Sequence, residues 1–239
     1  MSIFFVADVH LLVRESIVTA NFLSFLKTRV TNAEALYILG DLFEIWTGDD
    51  DLNSLHYKIA IALKTLTQQG THCYFLHGNR DFLLGKRYAA ICGMELLPSE
   101  QQIIQLDKTK IVILHGDTLC TNDKIYQYFR HLARCLFLQR LFLFLPKKIR
   151  LYIVNKVCTH SSRKKINKTN QTLNVNIQEI MTIMNKTNAK IMIHGHTHSP
   201  GVHFLSKKRC RIVLGAWSSL GSAIEISSRK IKFHILSFK

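Results

Sequence analysis

The chain alternates between short apolar runs and longer amphipathic stretches. IFFVA (3–7), LYIL (36–39), CYFL (73–76), IVIL (111–114), IMI (191–193) and IVL (212–214) are rich in β-branched and aromatic residues and are bounded by Gly, Asp or His. Runs of this length and composition predict buried strands. Between several of them, segments 15–29, 54–69 and 174–188 carry apolar residues at helical spacing. The helix at 54–69 has a start signal in Asp51, Asn53 and Ser54 and a stop in Gly70, and capping of this helix also explains the triplet Asp49-Asp50-Asp51. Strands alternating with helices predict an α/β fold.

One segment departs from the alternation. KIYQYFRHLARCLFLQRLFLFL, beginning at Lys124, predicts a long helix too apolar for a solvated face, and Pro146 separates it from a second basic helix, KKIRLYIVNKVC. The chain therefore divides into an α/β core, 1–122 and 170–239, and a helical insertion, 123–169.

The polar residues that follow the strands carry the chemistry. IFFVA runs into Asp8-Val9-His10, LYIL into Gly40-Asp41, CYFL into His77-Gly78-Asn79-Arg80-Asp81, IVIL into His115-Gly116-Asp117, and IMI into His194-Gly195-His196-Thr197-His198. In an open α/β sheet, ligands gather beyond the carboxyl ends of the strands. One site built from five loops is the economical reading, with Asp8, His10, Asp41, Asn79, His115, His196 and His198 as metal ligands. Mixed imidazole and carboxylate donors suit Mn, Fe, Co or Zn. The set is too large for one four-coordinate ion and right for two sharing a carboxylate, with Asp41 as the bridge. Two such ions activate a water and neutralise a phosphoryl group under attack, so no Ser or Cys nucleophile is needed. His77 and His194 lie on the strand side of their glycines and read as supporting partners. His56, His72, His131, His203 and His234 fall outside the pattern and read as surface or packing residues, and Asp81 reads as a structural partner or cap.

Charge sharpens the picture of the insertion. The net charge is +16, but from Lys124 through Gln178 there are twelve Lys or Arg and no Asp or Glu. Basic residues mixed with Tyr126, Tyr128 and Phe129 could track a nucleic-acid backbone, which keeps open a general metallophosphoesterase or nuclease acting on nucleotides or nucleic acid. The run of Leu and Phe from Leu136 to Leu145 exceeds what base stacking requires and suits hydrocarbon. Leu and Phe opposite Lys and Arg are the sign of binding at an anionic membrane face, so nucleic acid is not the expected partner. A non-catalytic membrane-binding protein is a third reading, against which the intact ligand set argues. The six scattered cysteines fit reduced thiols. No leader is visible, and no apolar stretch reaches the length of a membrane span. A cytoplasmic protein, at most peripheral on a membrane, is expected.

Asp8-x-His10, Gly40-Asp41, Gly78-Asn79, His115 and Gly195-His196-x-His198 together resemble the calcineurin-like metallophosphoesterases. YILGDLFEIWTGDDD (37–51), CYFLHGNRDFLLGKRY (73–88), LHGDTLCTND (114–123), IHGHTHSP (193–200) and VLGAW (213–217) resemble one member family, the UDP-2,3-diacylglucosamine pyrophosphohydrolases of lipid A synthesis in Gram-negative bacteria. The resemblance implies a four-layer α/β/β/α sandwich with a helical cap that binds acyl chains. It implies two manganese ions, one held by Asp8, His10, Asp41 and His198, the other by Asp41, Asn79, His115 and His196. It further implies hydrolysis at the α-phosphate of the UDP-linked lipid, giving UMP and the lipid 1-phosphate, with Asn79, Arg80, His115 and His196 at the reaction. Asn79, Arg80, Asp123, Ser161, Lys165, Lys168 and His196 would contact the substrate, and the enzyme would work as a monomer on the cytoplasmic face of the inner membrane. Lys165 stands where relatives commonly have Asn, Asn174 where Asp is common, and the tail after Trp217 matches poorly. Arg80 replaces the His found in much of the superfamily; its two-donor guanidinium suits a diphosphate.

Overall fold

A computed structural model describes residues 2–14, 16–166, 175–227 and 230–237, with side chains excepted at 16, 158–166 and 237. The six apolar runs form β1 (Ser2–Val6), β2 (Ala35–Ile38), β3 (His72–Phe75), β6 (Thr109–Leu114), β7 (Ile191–His194) and β9 (Arg209–Val213). The helical segments form α1 (Ser16–Phe25), which widens into a π-helical turn at Leu26–Val30, α2 (Ser54–Gln68) and α7 (Ile177–Thr187). The apolar runs did not reveal β4 (Glu95–Leu96), β5 (Gln101–Leu106), β8 (Gly201–Ser206), β10 (Leu220–Ser227), β11 (Lys230–Ser237) or the short helix α3 (Lys86–Cys92). These strands lie at or beside a sheet edge: QQIIQL of β5 is partly exposed to water, and LGSAIEIS of β10, though largely buried, is interrupted by small and polar residues.

One sheet has the order β11-β10-β1-β2-β3-β4 and the other β5-β6-β7-β9-β8. Strands β1 to β4 are mutually parallel, as are β6, β7 and β9, while β5, β8, β10 and β11 add antiparallel margins. The period of two along each parallel strand sorts side chains into separate cores. Phe4 and Val6 pack with Phe22, Phe25 and Leu63 under α1 and α2, whereas Ile3 and Phe5 meet Ile111, Ile113, Ile193 and Ile212 between the sheets. Val112, Leu114 and Met192 face Ile180 and Met184 of α7. The layers are thus helix, sheet, sheet, helix, a four-layer α/β/β/α sandwich.

Along the chain, between β6 and α7, come α4 (Lys124–Arg134), α5 (Leu136–Phe144) and α6 (Lys147–Ile166). The long helix expected from Lys124 is broken at Cys135, whose backbone is extended (φ −67°, ψ 116°) and which ends α4 and begins α5. Gln139 Nε2 donates to the Ala133 carbonyl at 2.9 Å, satisfying a group exposed by the break. The aspartate triplet also behaves differently from expectation. Asn53 caps α2, accepting from Leu55 and His56 N–H, while Asp49 accepts from Gly85 and Tyr88 N–H at the start of α3, Asp50 pairs with Arg150, and Asp51 accepts from Thr47. The capping function thus falls to the one residue at the correct offset for α2, and the acids serve α3, Arg150 and their own loop.

Candidate metal centre

The five ligand-bearing strands are all parallel within their sheets, so their carboxyl ends reach one edge of the sandwich. His115 Nδ1, after β6, donates to the carbonyl of Leu39, after β2, at 2.9 Å and joins the two sheets there. Asp8, His10, Asp41, His196 and His198 all stand on left-handed backbone, with φ of 54°, 53°, 54°, 66° and 55°. Non-glycine residues seldom adopt this region, and each such position costs about 1–3 kcal/mol, so the surrounding fold must impose it. Two glycines make the crowding possible. A Cβ on Gly78 would lie 2.1 Å from Asp41 Oδ1, and one on Gly195 would lie 2.0 Å from Asp8 Oδ2.

The side chains converge as the strand-end pattern requires. His10 Nε2 and His198 Nε2 are 3.3 Å apart, and both approach Asp8 Oδ1, at 3.8 and 3.4 Å. Asp41 Oδ2 lies 4.0 Å from His10 Nε2 and 3.6 Å from His115 Nε2, between the two groups of ligands. Asn79 Oδ1 is 2.9 Å from His115 Nε2. His196 donates its backbone N–H to Asp8 Oδ2 at 2.8 Å, and its ring centroid is 5.1 Å from that of His115. Potential ligand atoms of Asp8, His10 and His198 lie within 4.8 Å of one another, as do those of Asp8, Asp41 and His115.

Electrostatics show what such a cluster lacks. Burial disfavours charge on Asp8, yet the imidazoles of His198, His115 and His10 hold its carboxyl down at about 2. Burial likewise disfavours the His115 imidazolium, yet Asp41, Asp8 and Asp117 raise it to about 9. For Asp41 burial prevails and pushes the carboxyl up. Asp8 Oδ1 is fully buried and has no hydrogen-bond partner among the described residues. Unpaired buried carboxylate oxygen beside imidazole nitrogens is the donor set that borderline divalent cations satisfy, so these residues fit a metal.

Around this centre, Asp81 accepts from the backbone N–H groups of Gly78, Asp41 and Leu42 and holds the β2 and β3 loops together. His194 is buried with Nδ1 2.8 Å from the Gly195 carbonyl, and His77 Nε2 is 2.7 Å from that of Leu84. Arg80 donates its backbone N–H to Asp41 Oδ1 at 2.8 Å, and its guanidinium lies 3.4 Å from Glu44. Asp123 is the N-cap of α4, accepting from Tyr126 N–H at 3.2 Å. The side chains of Ser161 and Lys165, and Lys168 altogether, lie outside the described residues.

Three neighbours of the centre were not among the expected site residues. Glu44 sits 2.7 Å from His10 Nδ1 and bridges it to Arg80; its one signal was a charge inside the apolar run LFEIW. Asp117, two residues past His115, accepts from Tyr126 Oη at 3.0 Å and from Arg130 Nε at 2.8 Å. Tyr126 stacks on His196 with ring centroids 6.2 Å apart, so α4 is docked directly on the site. Arg134 donates to the Gly78 carbonyl at 2.8 Å, and both arginines pair with Glu100.

The family of calcineurin-like phosphoesterases matches residues 1–200. A UDP-2,3-diacylglucosamine hydrolase of Sodalis glossinidius is 56% identical over 238 residues, covering 100% of this chain and 99% of that protein. Proteins of the same name from Blochmanniella pennsylvanica and Serratia proteamaculans are 49% and 48% identical, covering 96% and 97% of this chain and 93% and 98% of theirs. Among solved structures, an archaeal phosphodiesterase matches with a TM-score of 0.50 at 11% identity, covering 99% of this chain and 100% of that one, which is a likeness of fold. Full-length identity of this order, together with a ligand cluster in the expected strand order, places the chain in the UDP-2,3-diacylglucosamine hydrolase family of the calcineurin-like phosphoesterases.

Proposed function

We propose that the protein hydrolyses UDP-2,3-diacylglucosamine at the α-phosphorus, releasing UMP and 2,3-diacylglucosamine 1-phosphate. The observation that carries this reading is the full-length identity of 56% to a hydrolase of that name. Asp8, His10, Asp41 and His198 would hold one divalent ion and Asp41, Asn79, His115 and His196 a second, with manganese the metal we favour. Such ions, when bound, acidify water and offset charge on phosphoryl oxygens.

The chain's own residues do the rest. Glu44 and Arg80 face each other at 3.4 Å beside the centre, and a diphosphate arriving there exchanges one anionic partner of Arg80 for a bidentate one. Asn79 and His115, in contact at 2.9 Å, align the α-phosphate, and His196, steadied by Tyr126, lines its other side. Water adds to the α-phosphorus as the bond to the lipid phosphate oxygen breaks; the lipid phosphate departs as an anion and needs no general acid.

The insertion of 123–169 would serve as the cap for the acyl chains, with Asp123, Ser161, Lys165 and Lys168 contacting the nucleotide sugar. Leu136, Phe137, Leu141 and Phe144 are exposed on α5, while Lys147, Lys148 and Lys156 are exposed on α6. That surface suits collection of a lipid from the anionic inner leaflet, on the cytoplasmic side. None of the described helices is long and apolar enough to cross a membrane. A nucleic-acid substrate is disfavoured because Tyr126, Arg130 and Arg134 turn inward onto Asp117 and Glu100. Incubation with the lipid nucleotide and manganese in oxygen-18 water should place the label in UMP. Label in the lipid phosphate would reassign the attacked phosphorus, and cleavage confined to simple phosphodiesters or DNA would refute the reading.

A further inference from the structure

We infer that Arg150, clamped onto Asp50, is a positioning residue that sets the helical insertion over the metal centre and so governs affinity for the acylated substrate. This rests on the reading that α4–α6 receives the acyl chains. The side chain of Arg150 is 1% exposed and is the largest fully buried one among the described residues. From 124 to 157, it is the one buried residue. The insertion therefore has no apolar core of its own there, and directed polar contacts decide where it sits.

Those contacts are specific. Arg150 Nη1 donates to the Thr47 carbonyl at 2.7 Å and to Asp50 Oδ1 at 2.9 Å, and Nη2 donates to the other carboxylate oxygen. Lys147 Nζ adds a contact to the Asp50 carbonyl. Gly48 makes room for them: its φ is +137°, and a Cβ there would lie 2.4 Å from Arg150 Nη1 and 2.9 Å from Leu143 Cδ2 of α5. A bidentate pair of this kind fixes orientation as well as distance.

The receiving loop is itself pinned to the site. Asp49 holds Gly85 N–H at 2.8 Å and Tyr88 N–H at 3.0 Å, at the end of the loop that carries Asn79 and Arg80, and accepts from Trp46 Nε1 at 3.2 Å. Two residues before Trp46, Glu44 touches His10 and Arg80. A short rigid path thus leads from the metal centre through residues 44–50 to Arg150. The insertion's other anchor, Arg130 and Arg134 on Asp117, abuts the centre directly. The Arg150 clamp lies away from it, so it can be broken without touching the reacting groups.

The test uses the full chain with Asp50→Asn, Arg150→Gln and the double substitution, measuring steady-state kinetics with UDP-2,3-diacylglucosamine and limited proteolysis between 124 and 157. Removing either partner breaks the bidentate contact between the buried guanidinium and the Asp50 carboxylate, which is 47% exposed, and is expected to raise KM about five-fold, with kcat within about two-fold of the parent. The double variant should be no worse than the poorer single one, because the two side chains act as a unit. Cutting within 124–157 should quicken about ten-fold. Unchanged KM and unchanged cutting in the Asp50→Asn protein, or strictly additive effects in the double variant, would overturn the clamp. If the parent protein fails to hydrolyse the lipid nucleotide, the functional proposal falls; faster cutting still supports the clamp, and unchanged cutting refutes it.

Discussion

Asp41 stands between the two groups of candidate ligands and links them. Its Oδ2 stands between His10 and His115, its Oδ1 accepts the Arg80 N–H, and its own N–H is held by Asp81. Asp41→Ala should therefore lose both bound metal and turnover, whereas Arg80→Ala should keep its metal and lose most activity; elemental analysis beside kcat separates the two. Wild-type rates for Arg80→Ala would remove the guanidinium from the mechanism. Gly78 belongs to the same scale. Its Cβ would meet Asp41 Oδ1 at 2.1 Å and the Asp41 backbone nitrogen at 2.4 Å, so Gly78→Ala should cost about 1–3 kcal/mol in urea unfolding and abolish metal binding. Gly70→Ala is the control. With φ at +96° but nothing within 4 Å, it should cost about 1–2 kcal/mol through strain alone and leave metal and activity intact.

At the scale of elements, α2 carries an unusual start. Asn53 accepts from the N–H groups of Leu55 and His56, and His56 Nδ1 accepts the Asn53 N–H at 3.2 Å, a reciprocal box with histidine in the place of glutamate. The imidazole is packed against Phe43 and Trp46, and this burial lowers its pKa from 6.5 to about 4. Above pH 6.5 folded and unfolded chains both carry it neutral. As pH falls from there to about 4, the unfolded chain takes the proton and the folded one does not, so stability contributed by the box is lost across that window. A His56→Gln protein, which keeps an acceptor without the titration, should show a flatter dependence of Tm on pH over the same range. An identical slope in both proteins would show that His56 does not contribute to acid sensitivity.

The whole molecule divides its stability unequally. Phe5, fully buried between the two sheets and stacked on Tyr37 at 5.1 Å, belongs to the layer that joins the halves of the sandwich. Phe5→Ala should cost about 3–5 kcal/mol by chemical denaturation. Phe137 and Phe144 on α5 are 73% and 87% exposed, so Phe137→Ser and Phe144→Ser should leave Tm within about 2 °C of the parent while raising KM for a long-chain substrate. A stability loss in the α5 variants comparable to that of Phe5→Ala would mean that the insertion shares the core's cooperativity.

The six buried strands and the residues after five of them were legible in the chain because doubly covered parallel strands need unbroken apolar runs, and each run must end where polar ligands begin. Asp8, His10, Asp41, Asn79, His115, His196 and His198 meet where that order predicts. The margins were not legible: β5, β8 and β11 are half wet, and β10, although largely buried, carries a mixed pattern, LGSAIEIS, that reads as loop until β1 offers its edge. Nor could local spacing show that Cys135 breaks a helix, that Asp49 caps α3 from 36 residues away, or that Glu44 closes on His10. The sequence by itself determined which strands are buried and which ligands follow them, since both are properties of contiguous residues. Only the tertiary structure decided how Arg150 reaches Asp50 and Tyr126 reaches His196, because those contacts exist only once separate elements have been folded against one another.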